Sequence, residues 1–147
     1  MTIILSAMVS LIVSAIVARL TVWWTANSDE KRAIREGTMR IIGWAIEYPF
    51  LESDDFCRSW PNTTRTDDDR LRYENYCCHV FNQLEHAWEL FKGDERKMRC
   101  CLCPKELIVR HRKWWEDEPD NDEGYSVEFR QFVANILRRV DRGPKNE

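Results

Sequence analysis

Residues 68–92 read DDRLRYENYCCHVFNQLEHAWELFK. Within them Cys77, Val80, Phe81, Leu84, Ala87, Trp88 and Phe91 recur in steps of three and four, the spacing of one buried face on a 3.6-residue helix. The flanks agree. Thr66 and Asp69 make a capping pair at the start, Asp67 to Asp69 set negative charge against the helix N-terminus, and Gly93 stands just past the end.

On the C-terminal side a short turn or helix covers 94–103. Pro104 then suits the first turn of a helix over 105–116, with Leu107, Ile108, His111, Trp114 and Trp115 on one side. An acidic loop, 116–124, leads to a last helix. Ser126 caps it, Phe129, Phe132, Val133, Ile136, Leu137 and Val140 form its core face, and Gly143-Pro144 stops it. On the N-terminal side Asp29 to Glu47 reads as helix, with Ile34, Ile41, Ile42, Ala45 and Ile46 as its apolar stripe, and Pro49 ends it. Residues 49–69 lack helical periodicity and read as a long loop. No run alternates with period two, so the predicted fold is all-α.

Before this domain lies a different kind of sequence. Residues 2–18, TIILSAMVSLIVSAIVA, are apolar or small without interruption, and the run continues past Arg19 to Trp23-Trp24. As a helix it would rise about 34 Å, against roughly 30 Å of bilayer hydrocarbon. Arg19 can snorkel and the paired indoles suit an interface. A cleaved signal peptide would carry basic residues ahead of the run, and none is present. The expectation is one N-terminal transmembrane helix followed by a small helical bundle. Since Arg19, Lys31, Arg32, Arg35 and Arg40 all follow the span, the positive-inside rule predicts a single-pass protein of the inner membrane, N-terminus outside and C-terminal domain cytosolic. The six cysteines are then expected as thiols. Ser6, Ser10, Ser14 and Ala18 repeat every four residues, which would let a second span approach and predicts a homo-oligomer. The chain thus divides into an anchor (1–25), a juxtamembrane helix (26–48), a loop (49–69), a helical domain (70–142) and a tail (143–147).

Composition narrows the function. The 147 residues carry 22 Lys and Arg against 25 Asp and Glu, a net charge of −3, and mean hydropathy is −0.55. That balance gives no general attraction to phosphate, so nucleic acid is an unfavoured partner. Arg110 to Lys113 make a basic run, but Glu116, Asp117 and Glu118 follow directly. Phosphate-binding glycine loops, nucleophile elbows and paired catalytic carboxylates are all missing from the sequence, and no cofactor is implied.

Two constellations can carry chemistry. Arg72 and His79 lie seven positions apart on the central helix, so both project from one face two turns apart, with Gln83 and His86 extending the stripe. This spacing resembles that of the HEPN superfamily of small helical domains, many of them ribonucleases. There a His moves protons and an Arg stabilises phosphate charge across a dimer. The competing reading is a solvated or interhelical polar stripe, which Glu74, Glu85 and Glu89 favour by opposing a polyanion. The second constellation is Arg-Cys-Cys-Leu-Cys-Pro, where Cys100 and Cys103 have CxxC spacing. Zinc would need two further ligands from Cys77, Cys78, His79 or His111; buried thiols packing as small hydrophobes are the alternative.

The run Arg72-Tyr73-Glu74-Asn75-Tyr76, then Leu84-Glu85, Gly93, Trp114-Trp115 and Tyr125-Ser126-x-x-Phe129, resembles a broad set of bacterial proteins in which one span precedes a small helical domain. The resemblance covers residues 39–137 and implies an all-α domain at the inner membrane, with no activity attached. The architecture with the Arg72/His79 spacing is also similar to the membrane-anchored, HEPN-like accessory protein of RNA-targeting CRISPR systems, which assembles into a pore. The favoured expectation is a non-enzymatic module that oligomerises and binds a cytosolic protein partner, as a defence or stress effector. The alternatives are a tethered HEPN-type ribonuclease or a degenerate relative, acting through Arg72 and His79, and a thiol or zinc sensor using Cys100 and Cys103.

Overall fold

A computed structural model describes residues 2–62, 65–118 and 121–143, with the side chains of residues 1–12, Trp23, Ala26, Asn27 and Asp122 left aside. Its helices are α1 (Thr2–Glu47), α2 (Asp54–Ser59), α3 (Asp67–Phe91), α4 (Glu95–Met98), α5 (Pro104–Arg110), α6 (Arg112–Asp117), α7 (Asn121–Gly124) and α8 (Val127–Asp141), with a 3₁₀ turn over Pro49–Glu52. Among the described residues there is no strand, and the all-α expectation stands.

The transmembrane expectation does not. Among the described residues no helix is long and apolar enough to cross a membrane. Arg19 interrupts the apolar sequence of α1, and Asp29, Glu30, Lys31 and Arg32 charge the same helix further on. The inner-membrane, single-pass placement with its outside and cytosolic sides rested on this span and is corrected with it. Two of the four positions of the small-residue repeat, Ser6 and Ser10, lie outside the described side chains, as do residues 144–147 of the tail.

The chain forms two compact units, residues 1–33 and 34–147. In the first, Val13, Ile16, Val17, Leu20, Val22 and Trp24 are exposed. The second is a bundle around α3, which buries Tyr73, Tyr76, Cys77, Val80, Phe81, Leu84 and Ala87. The predicted cap holds, since the Thr66 side chain accepts from Asp69 N. At the other end Lys92 and Gly93 both turn left-handed, with φ of 53° and 73°. α8 closes the core with Phe129, Val133, Ile136 and Leu137, and Ser126 caps it as its sequence predicts.

Three elements differ from their sequence reading. Residues 49–69 are not one loop, because Pro49–Glu52 and Asp54–Ser59 are helical turns that insert Leu51, Phe56 and Cys57 into the core. Turns this short carry too few positions for periodicity to show. The predicted helix 105–116 is broken at His111, which ends α5 and begins α6. The juxtamembrane stripe is rotated: Ile34, Gly37 and Ile41 face inward, whereas Ile42 and Ile46 lie on the outside. Gly37 is among the inward positions, and a Cβ there would stand 2.2 Å from Gln83 Oε1, the far end of a flexible side chain.

Candidate functional site

Breaking the helix at His111 turns its ring into the core, where it is wholly buried. Nε2 lies 3.1 Å from Glu52 Oε1, while Nδ1 lies 3.0 Å from the Tyr73 hydroxyl and 3.8 Å from Cys57 Sγ. Tyr76 donates its hydroxyl to Glu52 Oε1, and Arg110 donates to Glu52 Oε2. Arg110 Nε also sits 3.6 Å from Asp54. The cluster thus ties the 3₁₀ turn, α2, α3 and α5 together. It is satisfied with Nε2–H donating to the carboxylate and the Tyr73 O–H donating to Nδ1, an assignment made from the hydrogen-bond network.

Electrostatics decide what such a cluster can do. Burial raises the pKa of Glu52, but hydrogen bonds from His111, Tyr76 and Arg110 outweigh it and hold the carboxyl at about 2. It is ionised at neutral pH and a poor proton acceptor. Burial pushes the Cys57 thiol up to about 11, so it is no nucleophile at neutral pH. Burial likewise raises Tyr73 and Tyr76. The His111 ring is wholly buried and burial holds the thiol and the two phenols protonated, so the cluster reads as a strut in the core.

Beside it, Asp54, Arg58, Lys105, Val109 and Arg110 line an open cleft of about 410 Å³. Its charges largely cancel, with Arg58 3.3 Å and Arg110 3.6 Å from Asp54. The basic run is similarly occupied, since Arg112 pairs with Glu116 at 2.7 Å and with Asp141 at 2.6 Å.

The Arg72/His79 stripe packs against the end of α1. Trp44 meets the His79 ring edge-on at 5.0 Å, and His79 Nε2 is buried with no hydrogen-bond partner among the described residues. Burial lowers the His79 pKa, a hydrogen bond to the Gly37 backbone opposes that, and the Arg40 charge adds to it. Arg72 lies over the Tyr48 ring at 5.2 Å and bonds Asp69 at 3.2 Å. Of the two, only Arg72 is well exposed. It borders a small apolar groove of about 180 Å³ between Trp44, Tyr48, Leu51, Asn75 and Tyr76.

Cys100 and Cys103 are both exposed, yet the sulfur contact recorded for Cys100 is to its neighbour Cys101, at 3.4 Å. Among the described residues no group of three or more His, Cys, Asp or Glu is placed to hold a metal ion. All six cysteines are thiols, with Cys57 and Cys77 buried.

The sequence reading missed Glu52, Cys57 and the two tyrosines as partners of His111. A signal was present, because a histidine amid Ile108, Trp114 and Trp115 on one helix face requires a buried acceptor or donor. Most motif positions behind the bacterial resemblance are packing or capping residues. Glu85 Oε1 accepts from Ser126 N at 2.9 Å and from Ser126 Oγ at 2.7 Å, and Phe81 stacks on Trp114 and Trp115 at 5.5 and 4.5 Å.

The outer face of α1 is different. Met39, Ile42 and Ile46 are 61, 45 and 74% exposed, three large apolar side chains in a stripe, and Gly43 lies among them with nothing within 4 Å of a Cβ built on it. No family model, curated protein or solved structure matches this chain.

Proposed function

We propose that this chain is a non-enzymatic helical module that works by association, pairing with a second copy through the outer face of α1 and offering the pair to a protein partner. Gly43 carries the reading. A glycine inside a helix costs about 1 kcal/mol relative to alanine. At Gly37 a side chain would meet Gln83, but among the described residues nothing lies within 4 Å of a Cβ built at Gly43. A second helix crossing there would benefit from the missing side chain, and Met39, Ile42 and Ile46 would cover the crossing. Charge fits an antiparallel two-fold pair. Reflection about Gly43 brings Arg40 of one copy beside Ile46 and Glu47 of the other, so Arg40 and Glu47 come within a turn of each other, twice by symmetry.

The chemistry supports association over catalysis. Cys57 and Glu52 are held far from useful pKa values, and His79 is packed under Trp44. Sedimentation velocity on the full chain tests the reading. The wild type should dimerise with rising concentration, and Ile42→Glu with Ile46→Glu should remain monomeric with unchanged helical circular dichroism. A monomeric wild type, or a double variant that dimerises equally well, would overturn it.

A further inference from the structure

The turn after α4 is pinned on three sides. Met98, Leu102 and Pro104 are buried, and backbone bonds from Cys101 N and Leu102 N to the Met98 carbonyl, each 2.9 Å, fix the peptide between them. Two thiols project from this anchored turn with their sulfurs 3.4 Å apart, Cys100 exposed and Cys101 half-buried. Cys100 Sγ also donates to the Lys97 carbonyl at 2.9 Å. The other adjacent pair in the chain makes a contrast. On α3, Cys77 points into the core and Cys78 outward, because neighbours on a helix diverge by about 100°.

The separation selects among ways of joining two sulfurs. A direct disulfide prefers Cα atoms about 4.4–6.8 Å apart, whereas adjacent residues are held at about 3.8 Å, so closure would be strained. With metal–sulfur bonds of about 2.3 Å, a linear two-coordinate ion needs sulfurs about 4.6 Å apart, and a tetrahedral zinc about 3.8 Å. The thiols already lie in contact at 3.4 Å, and among the described residues no further His, Cys, Asp or Glu joins them to complete a metal's ligand set. A trivalent pyramidal centre that takes two thiolates and carries its third bond already needs no further ligand.

We propose that Cys100 and Cys101 form a chelating site for trivalent arsenicals, independent of the association surface on α1. The reaction needs no oxidant. A monosubstituted arsenic(III) oxide gives up its oxygen as water, which carries away both thiol protons, and two arsenic–sulfur bonds form without change of oxidation state. Cys103 is dispensable for such a ligand, which has only two exchangeable positions.

Phenylarsine oxide added to the native full chain, followed by intact-mass measurement, tests this. The wild type should gain one arsenical with loss of water, released by dithiothreitol and retained against an equal concentration of a monothiol. Cys100→Ser and Cys101→Ser should each abolish the adduct, and Cys103→Ser should keep it. Cys100 is exposed, so its serine variant is the safeguard should Cys101→Ser fail to fold. The proposal is overturned if the wild type gains nothing. It is equally overturned if Cys103→Ser loses the adduct while Cys101→Ser keeps it, or if the adduct survives in Cys100→Ser with Cys101→Ser.

Discussion

His111 Nε2 lies 3.1 Å from Glu52 Oε1, joining two residues 59 positions apart, and the ring that bridges them is wholly buried. Both partners stand where the chain changes direction, Glu52 at the end of the 3₁₀ turn and His111 at the break between α5 and α6. With Arg110, Tyr73, Tyr76 and Cys57 they bind the start of the bundle to its middle.

Glu52 makes the bundle acid-sensitive. Its pKa in the fold is about 2, below the unfolded value near 4.5, so its stabilisation is complete above the unfolded value and is lost as pH falls from about 5 towards 2. A shift of that size is worth about 3 kcal/mol before solvent screening, and less for a carboxylate that water partly reaches. Urea unfolding between pH 5 and pH 2 should show a loss of that order, and Glu52→Gln should flatten the dependence while lowering stability at pH 7. An unchanged pH slope in Glu52→Gln would remove the cluster from this role.

Glu85 holds the start of α8. Its carboxylate accepts from both the amide and the hydroxyl of Ser126, while the Ser126 side chain caps Phe129 N. Glu85→Ala leaves these donors to water and should cost about 1–3 kcal/mol in chemical denaturation. If Glu85→Ala and Ser126→Ala together cost the simple sum of the two single losses, the contact is not energetically coupled.

Arg72→Ala with His79→Ala should leave RNA unaltered relative to wild type, because His79 is packed under Trp44 and Arg72 is engaged by Asp69 and Tyr48. Gel analysis of labelled single-stranded RNA after prolonged incubation checks this. Cleavage by the wild type that disappears in a folded double variant would restore the nuclease reading.

The contrast between what could and could not be read ahead follows from range of interaction. α3 and α8 are long enough for 3,4,7 spacing and caps to show, and both formed as their sequences predict. Tyr73 and Tyr76 sit on that same face of α3, yet their hydroxyls suggest an exposed position until a buried acceptor such as Glu52 is known. The Glu52–His111 contact spans two elements too short to carry a periodic signal. The inward face of α1 is set by contacts with distant segments, such as Gly37 beside the Gln83 side chain, that no local pattern records. The apolar run, Arg19 and the paired indoles together suggested a span, and among the described residues no helix meets the length and apolarity required.

The central claim, that α1 pairs with a second copy at Gly43, is tested most directly by a size series at that position. Gly43→Ala and Gly43→Leu should each raise the thermal stability of the monomer, by up to about 1 kcal/mol from helix propensity, since among the described residues nothing opposes a side chain there. Over the same series, sedimentation velocity should show dimerisation weakening from Gly to Ala to Leu. Opposite trends in monomer stability and dimer affinity are the predicted result. Dimerisation that is unaffected by Gly43→Leu would contradict the account.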